Sequence, residues 1–486
     1  MRTSHSHPLQ IAEVQASPGH GLIGITFCPG KKQPGAHTGA WDRDLGTDLD
    51  LIVDWGAVAV VTLVEDHELK SLEVEEMGSL VAARHKSWYH LPIADVSTPS
   101  EQFEQRWAEV GEELRAILRE GFNILVHCKG GLGRAGTIGA RLLIELGVDP
   151  ASAVKQVRQA RPGAIETSAQ LAYVMGLKPI GELQPDTSVE AIANRAQGAL
   201  LGLAIGDAVG TTLEFEARDA NPLLTDMVGG GPFRLKPGEW TDDTAMALAL
   251  ADSLLAKSEL YPADLMTRFV QWMDEGAYSC TGNCFDIGTA TRQALSRWKT
   301  SGDPIAGSTD PNTAGNGSLM RLAPVAIRFF DDRAKLRDTA ALQSKTTHAA
   351  KEAIDACVVY AEMLADAIEG KKRSEVLRSR DGAFTDAISK IVAGSWRAKP
   401  RARINSSGYV CHSLEAALWS VARSGTYKQA VLTAANLGDD ADTTAAIAGQ
   451  LAGALHGVTG MPRDWVDKVA WSARIRGMAS GLLERP

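Results

Sequence analysis

The sequence predicts a chain of two dissimilar parts: an α/β domain with a central, mostly parallel sheet flanked by helices, then a helical part. Three observations lead there. Short apolar, β-branched runs at 57–64 and 122–126 read as buried strands, and a helical period at 101–120 separates them. A stretch at 177–189 with two prolines and little apolar periodicity breaks the chain. Beyond it the composition turns to Ala, Gly and Leu in helical patterns. At 486 residues the chain is also too long for one ordinary core.

Composition narrows the function. The formal charge of -9 comes with no basic stretch, so no nucleic-acid partner is expected. The apolar runs are broken by charges such as Asp207, so no membrane span is expected. The N-terminus is polar and lacks an apolar signal core. Six scattered cysteines do not read as a disulfide framework and fit a reducing cytoplasm. Cys280 and Cys284 have nearly zinc-like spacing, but no second pair follows at ligand spacing.

Residues 1–50 are rich in Gly, Pro and Asp and read as irregular. The second apolar run leads into His127-Cys128-Lys129-Gly130-Gly131-Leu132-Gly133-Arg134, and a helical pattern follows at 137–146. Ligands of open α/β sheets bind at the carboxyl ends of strands. The glycines of 129–133 let backbone N–H groups converge on an anion, and the helix adds its positive end. Arg134 can hold two phosphate oxygens in its planar fork. Among such donors Cys128 is expected to be a stabilised, nucleophilic thiolate.

His127-Cys128 through Arg134 resembles the loop of the protein tyrosine phosphatase superfamily, His-Cys-five residues-Arg. The likeness is closest to the cyclin-dependent kinase inhibitor 3 type of dual-specificity phosphatase. His90-Leu91-Pro92-Ile93-Ala94-Asp95 resembles that group's acid loop, which makes Asp95 the implied general acid. The segment 161–167 and Gln170 resemble its substrate-lining segment, with Gln170 positioning water. One departure is Ala135, where many members carry a hydroxyl that helps the sulfur leave. Breakdown of the phospho-cysteine is therefore expected to be slow. No cofactor is implied for this part.

In the second part, Gly198, Gly202, Gly206 and Gly210 recur every four residues, as do Gly449, Gly453 and Gly457. Glycine inside a helix is costly, so two such stripes predict helices whose backbones pack closely. Two acidic clusters each open an apolar helix pattern. One is Thr241-Asp242-Asp243-Thr244; the other is Asp439-Asp440-Ala441-Asp442-Thr443-Thr444. Each alone reads as helix capping. Two of them, rich in hard carboxylate and hydroxyl oxygens, fit Mg²⁺ or Mn²⁺.

With GNCFDIG at 282–288, GNGSLMR at 315–321, Thr347-His348 and SSGYV at 406–410, these segments resemble the ADP-ribosylglycohydrolase family in one order. The bacterial dinitrogenase reductase-activating type is the nearest. The resemblance implies an all-α fold with two Mg²⁺ or Mn²⁺ ions in a cleft. It carries over Thr241, Asp242, Asp243, Asp440, Asp442 and Thr443 as ligands. Glu214 falls at the metal cleft as ligand or catalytic group, and Asp286 matches a catalytic acid or base. Asn316, Gly317 and Ser318 would cradle phosphate or ribose, and His348 and Tyr409 would border ADP-ribose.

The expected protein is a bifunctional hydrolase: a Cys-dependent phosphatase at 1–180, a linker at 181–190 and a metal-dependent ADP-ribosylhydrolase at 191–486. Its expected substrates are phosphorylated and ADP-ribosylated proteins or small molecules, with the bacterial-type segments leaning towards arginine linkages. Two readings compete with it. In one, a single domain is catalytic and the other only binds phosphate or ADP-ribose. In the other, the second part is a non-enzymatic ADP-ribose or nucleotide sensor.

Overall fold

The computed structural model describes residues 1–36, 39–257 and 259–484. It divides into two compact units, Met1–Leu183 and Gln184–Pro486.

The first unit is built on a five-stranded sheet. Its strands are β1 (Ala12–Val14), β2 (Ile23–Phe27), β5 (Ala57–Thr62), β6 (Ser87–His90) and β7 (Asn123–Cys128), and a two-residue ladder joins β3 (Lys32–Gln33) to β4 (Trp41–Asp42). The sheet order is β1-β2-β7-β5-β6. Only the edge strand β1 is antiparallel; β2, β7, β5 and β6 run parallel. The middle strand β7 is paired on both sides and buried beyond Asn123, which explains its near-continuous apolar run.

The reading of residues 1–50 as irregular is corrected. That stretch supplies β1, β2 and the helix Leu45–Asp54. β2 is buried at all five positions, including Gly24, where an added Cβ would meet Ile11, Trp55 and Leu125 within about 3 Å. Surrounding glycines and prolines hid a five-residue run that only sheet neighbours make into a strand. β7 also runs two residues past the apolar pattern, so Cys128 is its last residue. The next helix spans Gly133–Glu145 and begins inside the glycine loop.

The second unit is helical. Val189–Gly210 and Ala441–His456 lie against each other along their glycine stripes, as the spacing predicts. A Cβ added at Gly202 would sit 2.3 Å from the Gly449 carbonyl oxygen, and one at Gly449 would sit 2.1 Å from that of Gly202. Gly198 and Gly206 meet Gly453 and Ala445 in the same way. Only bare backbone permits that approach. It brings Asp207, in the last turn of one helix, beside Asp442, in the first turn of the other. No helix of the described residues is long and apolar enough to cross a membrane.

Candidate active sites

In the first unit, Cys128 ends the middle strand and is buried. The loop behind it is held open by cations. Lys31 Nζ donates to the Lys129 carbonyl at 3.2 Å. Arg161 donates through Nε to Gly131 O at 3.1 Å and through Nη2 to Gly130 O at 3.2 Å. Three successive carbonyls are thus held by side-chain cations. Peptide planarity turns the following N–H groups the other way. The Gly131 N–H, 3.2 Å from Cys128 Sγ, does so directly. Gly131 has φ +70°, and a Cβ there would lie 2.4 Å from the Phe27 nitrogen, so only glycine fits. The result is a small nest of donors around a thiol.

Arg134 opens the helix Gly133–Glu145 and is buried. Its two terminal nitrogens grip Glu68, with Nη2 3.0 Å from Oε1. Nη1 also donates to Ile93 O at 3.0 Å, and Nη2 lies 3.0 Å from Asp95 Oδ1. Burial raises the Glu68 carboxyl, but the Arg134 guanidinium more than offsets this and holds it below its usual range. Glu68 was invisible in the sequence, because it lies in a short polar helix, Asp66–Ser71, far from the loop in order. Asp95 is 60% exposed in its side chain and shares Arg134 with Glu68. Gln170 is buried. Its Oε1 accepts from Glu166 N and Thr167 N, and its Nε2 donates to Ser97 O, which ties the acid loop to the helix Ser168–Met175.

Lys31 was also missed, since it sits in the stretch read as irregular. Its ammonium lies 4.4 Å from the Trp41 ring centroid and 4.9 Å from that of Phe27. Burial depresses it to about 8. Burial likewise pushes His127 down to about 3, so that imidazole is neutral at neutral pH.

In the second unit, two helix starts converge. Thr241 caps Asp242–Ala256, and Asp440 caps Ala441–His456. Thr241 Oγ1 is 3.2 Å from Asp442 Oδ2, and Thr443 Oγ1 is 3.2 Å from Asp243 Oδ2. Asp440 Oδ2 accepts from Asn316 Nδ2 at 2.6 Å. Glu214 Oε2 accepts from the N–H groups of Ala441 and Asp442 at 2.8 and 3.2 Å. Asp207, so far a marker against a membrane span, accepts four hydrogen bonds at 2.6–3.0 Å from the N–H and hydroxyl groups of Thr241 and Thr244. It is the side-chain cap that Thr241 does not provide, and it orients the whole acidic turn.

Like charges and burial act together here. Burial, then Asp442, raises Asp207 to about 7. Burial, then Asp442, raises Asp440 to about 7. Burial, then Asp242 and Asp442, pushes Asp286 to about 11. Glu214, Asp242 and Asp243 move the same way, from burial first and Asp442 next. Carboxylates so placed stay ionised only with a cation among them. Among the described residues, Asp207, Asp243 and Asp442 form one group with ligand oxygens within 4.8 Å of one another, and Glu214, Asp440 and Asp442 form another. Asp243 Oδ1 is buried with no hydrogen-bond partner. The donor set is all oxygen, which fits hard divalent cations.

Part of this cluster lines a cleft of about 540 Å³. Glu214, Asp242, Asp286, Asn316, Gly317, His348, Asp440, Asp442 and Thr443 all face it. Thr347 Oγ1 accepts from Arg321 Nη2 at 2.8 Å and lies 2.8 Å from His348 Nδ1. Burial, then Arg321, lowers His348 to about 3. A neutral ring packed against Gly315 and Gly317 results. Four expected residues do not line the cleft: Thr241, Asp243, Ser318 and Tyr409. The Ser318 hydroxyl is buried 2.8 Å from Ser344 Oγ, and the Tyr409 hydroxyl donates to Glu352 Oε2 at 2.6 Å. At the second of these places the wall itself is Gly408. Arg292, which the motifs did not flag, is a cation lining the cleft.

Comparison with known proteins agrees with both parts. The ADP-ribosylglycohydrolase family model matches residues 188–486. A model described as a Swiss Army Knife protein, DSP-PTPase phosphatase domain, matches residues 40–174. The chain is 50% identical over 296 residues to the ADP-ribosylarginine hydrolase Tri1 of Pseudomonas putida (strain GB-1), covering 61% of this chain and 80% of that one. It is 44% identical over 289 residues to the ADP-ribosylarginine hydrolase Tri1 of Serratia proteamaculans (strain 568), covering 60% and 79%. A solved ADP-ribosylglycohydrolase-related protein complex superposes with a TM-score of 0.55 at 38% identity, covering 61% of this chain and 99% of that one. The chain therefore belongs to the ADP-ribosylglycohydrolase family and carries a dual-specificity-type phosphatase domain ahead of that part, two kinds of hydrolase on one polypeptide.

Proposed function

We propose that the second unit removes ADP-ribose from modified arginine side chains with the help of two Mg²⁺ or Mn²⁺ ions. The observation that carries this is the buried carboxylate cluster opening onto the cleft, with Asp243 Oδ1 left without a partner. Identity of 50% to an ADP-ribosylarginine hydrolase supports the arginine linkage. Asp207, Asp243 and Asp442 suit one cation, and Glu214, Asp440 and Asp442 the other, with Thr241, Asp242 and Thr443 completing the sets. When bound, such ions orient ribose hydroxyls and lower the pKa of water. Asn316, Gly317 and His348 hold the nucleotide. Cleavage at the anomeric carbon leaves positive charge on the ribose, which the carboxylates around it stabilise. Asp286, which lines the same cleft, gives the leaving nitrogen its proton, and water then adds to the anomeric carbon and returns a proton to Asp286.

The first unit dephosphorylates through Cys128. Its thiolate attacks phosphorus, an S–P bond forms, and the P–O bond to the leaving group breaks. Asp95 gives that oxygen its proton. Water then attacks phosphorus and returns a proton to Asp95, and the S–P bond breaks to give phosphate and thiolate. With their carbonyls held by Lys31 and Arg161, residues 129–131 leave N–H groups for the phosphate oxygens, and Arg134 swings its Nη2 from Asp95 to the same oxygens. In this proposal 1–180 is the phosphatase, 181–190 the linker and 191–486 the hydrolase. All six cysteines are free thiols, which supports a cytoplasmic setting.

The test is release of ADP-ribose from an ADP-ribosylarginine peptide, with and without Mg²⁺ or Mn²⁺, by wild type and Asp440→Ala. Metal-dependent release that falls at least a hundredfold in the variant is the expected result. Equal rates in both proteins would overturn the metal assignment.

A further inference from the structure

A second groove, about 700 Å³, lies next to the metal cleft. The two share Phe215 and Asp439 as a common rim. Phe215 immediately follows Glu214 and is 67% exposed, unusual for so large an apolar ring. It does not hang free. Its ring sits edge-on to Phe233 at 6.3 Å, and Phe233 packs on Phe285 at 5.2 Å, next to Asp286. Phe215, Asp286 and Asp439 all have left-handed backbones, at φ +62°, +59° and +61°. Non-glycine residues hold that conformation at a cost in energy, and all three line the same cleft. Two main-chain hydrogen bonds of 2.8 Å, Phe215 N to Asp439 O and Asp439 N to Glu216 O, lock the rim together. The exposed carboxylates of Glu216 and Asp439 thus stand beside an exposed aromatic ring. The groove's own cation, Arg218, is turned into the wall, where its guanidinium donates to the carbonyls of Leu437, Arg401 and Ile404. His412 is bonded to Ser407 at 2.8 Å.

We infer that this groove is the leaving-group subsite, built for a cationic guanidinium and the peptide that carries it. Resting on the arginine-directed reading above, it assigns Phe215 as the platform and Glu216 and Asp439 as the counter-charges. An N-glycosylated arginine keeps its positive charge, so the substrate presents a planar cation just beyond the bond to be cut. A planar cation stacks on an aromatic face and pairs with carboxylates at its edge. Serine-linked ADP-ribose and O-acetyl-ADP-ribose have neutral leaving groups and gain neither contact. The subsite sets linkage preference and leaves the ADP-ribose half untouched.

The experiment uses the full chain loaded with Mg²⁺ and compares kcat/KM for an ADP-ribosylarginine peptide and for O-acetyl-ADP-ribose. Wild type, Glu216→Gln and Phe215→Leu are measured, with ADP-ribose affinity by calorimetry as the control for a misplaced Glu214. The expected result is a fall of about tenfold in the arginine-to-acetyl ratio in each variant, with ADP-ribose affinity retained. Equal loss on both substrates, or no loss, overturns the subsite. Failure of the arginine reading is separately visible, as a wild type that releases nothing from the arginine peptide. In that case the intact peptide's affinity is compared directly with that of ADP-ribose. Tighter binding that Glu216→Gln abolishes keeps the subsite, and equal affinities remove it.

Discussion

Lys31 and Ala135 show how single side chains set the pace of the phosphatase unit. Lys31 holds the Lys129 carbonyl from a cage of Phe27 and Trp41, and burial lowers it to about 8. Arg43, Arg161, Cys28 and Cys128 act on it electrostatically. Above that pH the ammonium loses its proton and the loop loses a charged tether. Phosphatase kcat/KM, corrected for substrate ionisation, is therefore expected to fall above about pH 8. Lys31→Arg should remove that alkaline limb, and Lys31→Met should lower the plateau about tenfold, the worth of one charge-assisted hydrogen bond. Ala135 is fully buried and offers no hydroxyl, and the nearby Thr137 hydroxyl donates to Gly133 O at 2.7 Å. Rapid-quench kinetics should show a burst of leaving group and an accumulated phospho-cysteine. Ala135→Ser should shrink the burst and raise kcat about tenfold. An unchanged burst would place the slow step elsewhere.

The paired helices Val189–Gly210 and Ala441–His456 do two jobs through one contact. Their glycine stripes let the backbones touch, and that approach sets Asp207 and Thr241 against Asp442. A methyl at Gly202 has no room, with Gly449 O 2.3 Å away. Gly202→Ala is expected to destabilise the second unit by about 3 kcal/mol, read as a lower urea midpoint at constant slope. Gly477 is the contrast. It lies exposed in the helix Ser472–Leu483 with open space where a Cβ would go. Gly477→Ala should stabilise by about 0.5–1 kcal/mol, because only the unfolded chain loses freedom. Two stabilising results would mean the stripe is not a tight contact.

For the molecule as a whole, the proposed cation would be a folding ligand of one unit. Without it, Asp207 and Asp440 hold protons to about pH 7, whereas in the unfolded chain they release them near pH 4. The folded cluster then binds more protons than the unfolded one, so stability falls as pH rises between about 4 and 7. A divalent cation takes the protons' place and binds better as they leave. Calorimetry should show the transition of Gln184–Pro486 rising with Mn²⁺, by about 2.7 kcal/mol at a hundred times Kd, and, at one fixed Mn²⁺ concentration, rising more at pH 7.5 than at 5.5. The transition of Met1–Leu183 should not move. A shift of equal size at both pH values would mean the cation binds away from these carboxylates.

Much of this was legible in order along the chain. The Cys128–Arg134 loop, the two acidic helix starts and the glycine stripes are short-range patterns, and each carries its reason in residue type and spacing. β2 was not legible, because Gly24 and its neighbours mask a strand that exists by pairing with β1 and β7. Glu68, Lys31 and Asp207 were not legible either. Their roles arise from partners up to 98 residues away, at Arg134, Lys129 and Thr241. Ser318 and Tyr409 sit inside matching motifs, yet their hydroxyls bond Ser344 and Glu352 behind the cleft. Local sequence determines which chemical groups are present and where helices and loops begin. Which way a side chain points, and whether its charge is buried beside another, depends on packing between segments distant in the chain, and that is why burial and raised carboxyls emerged only with the fold.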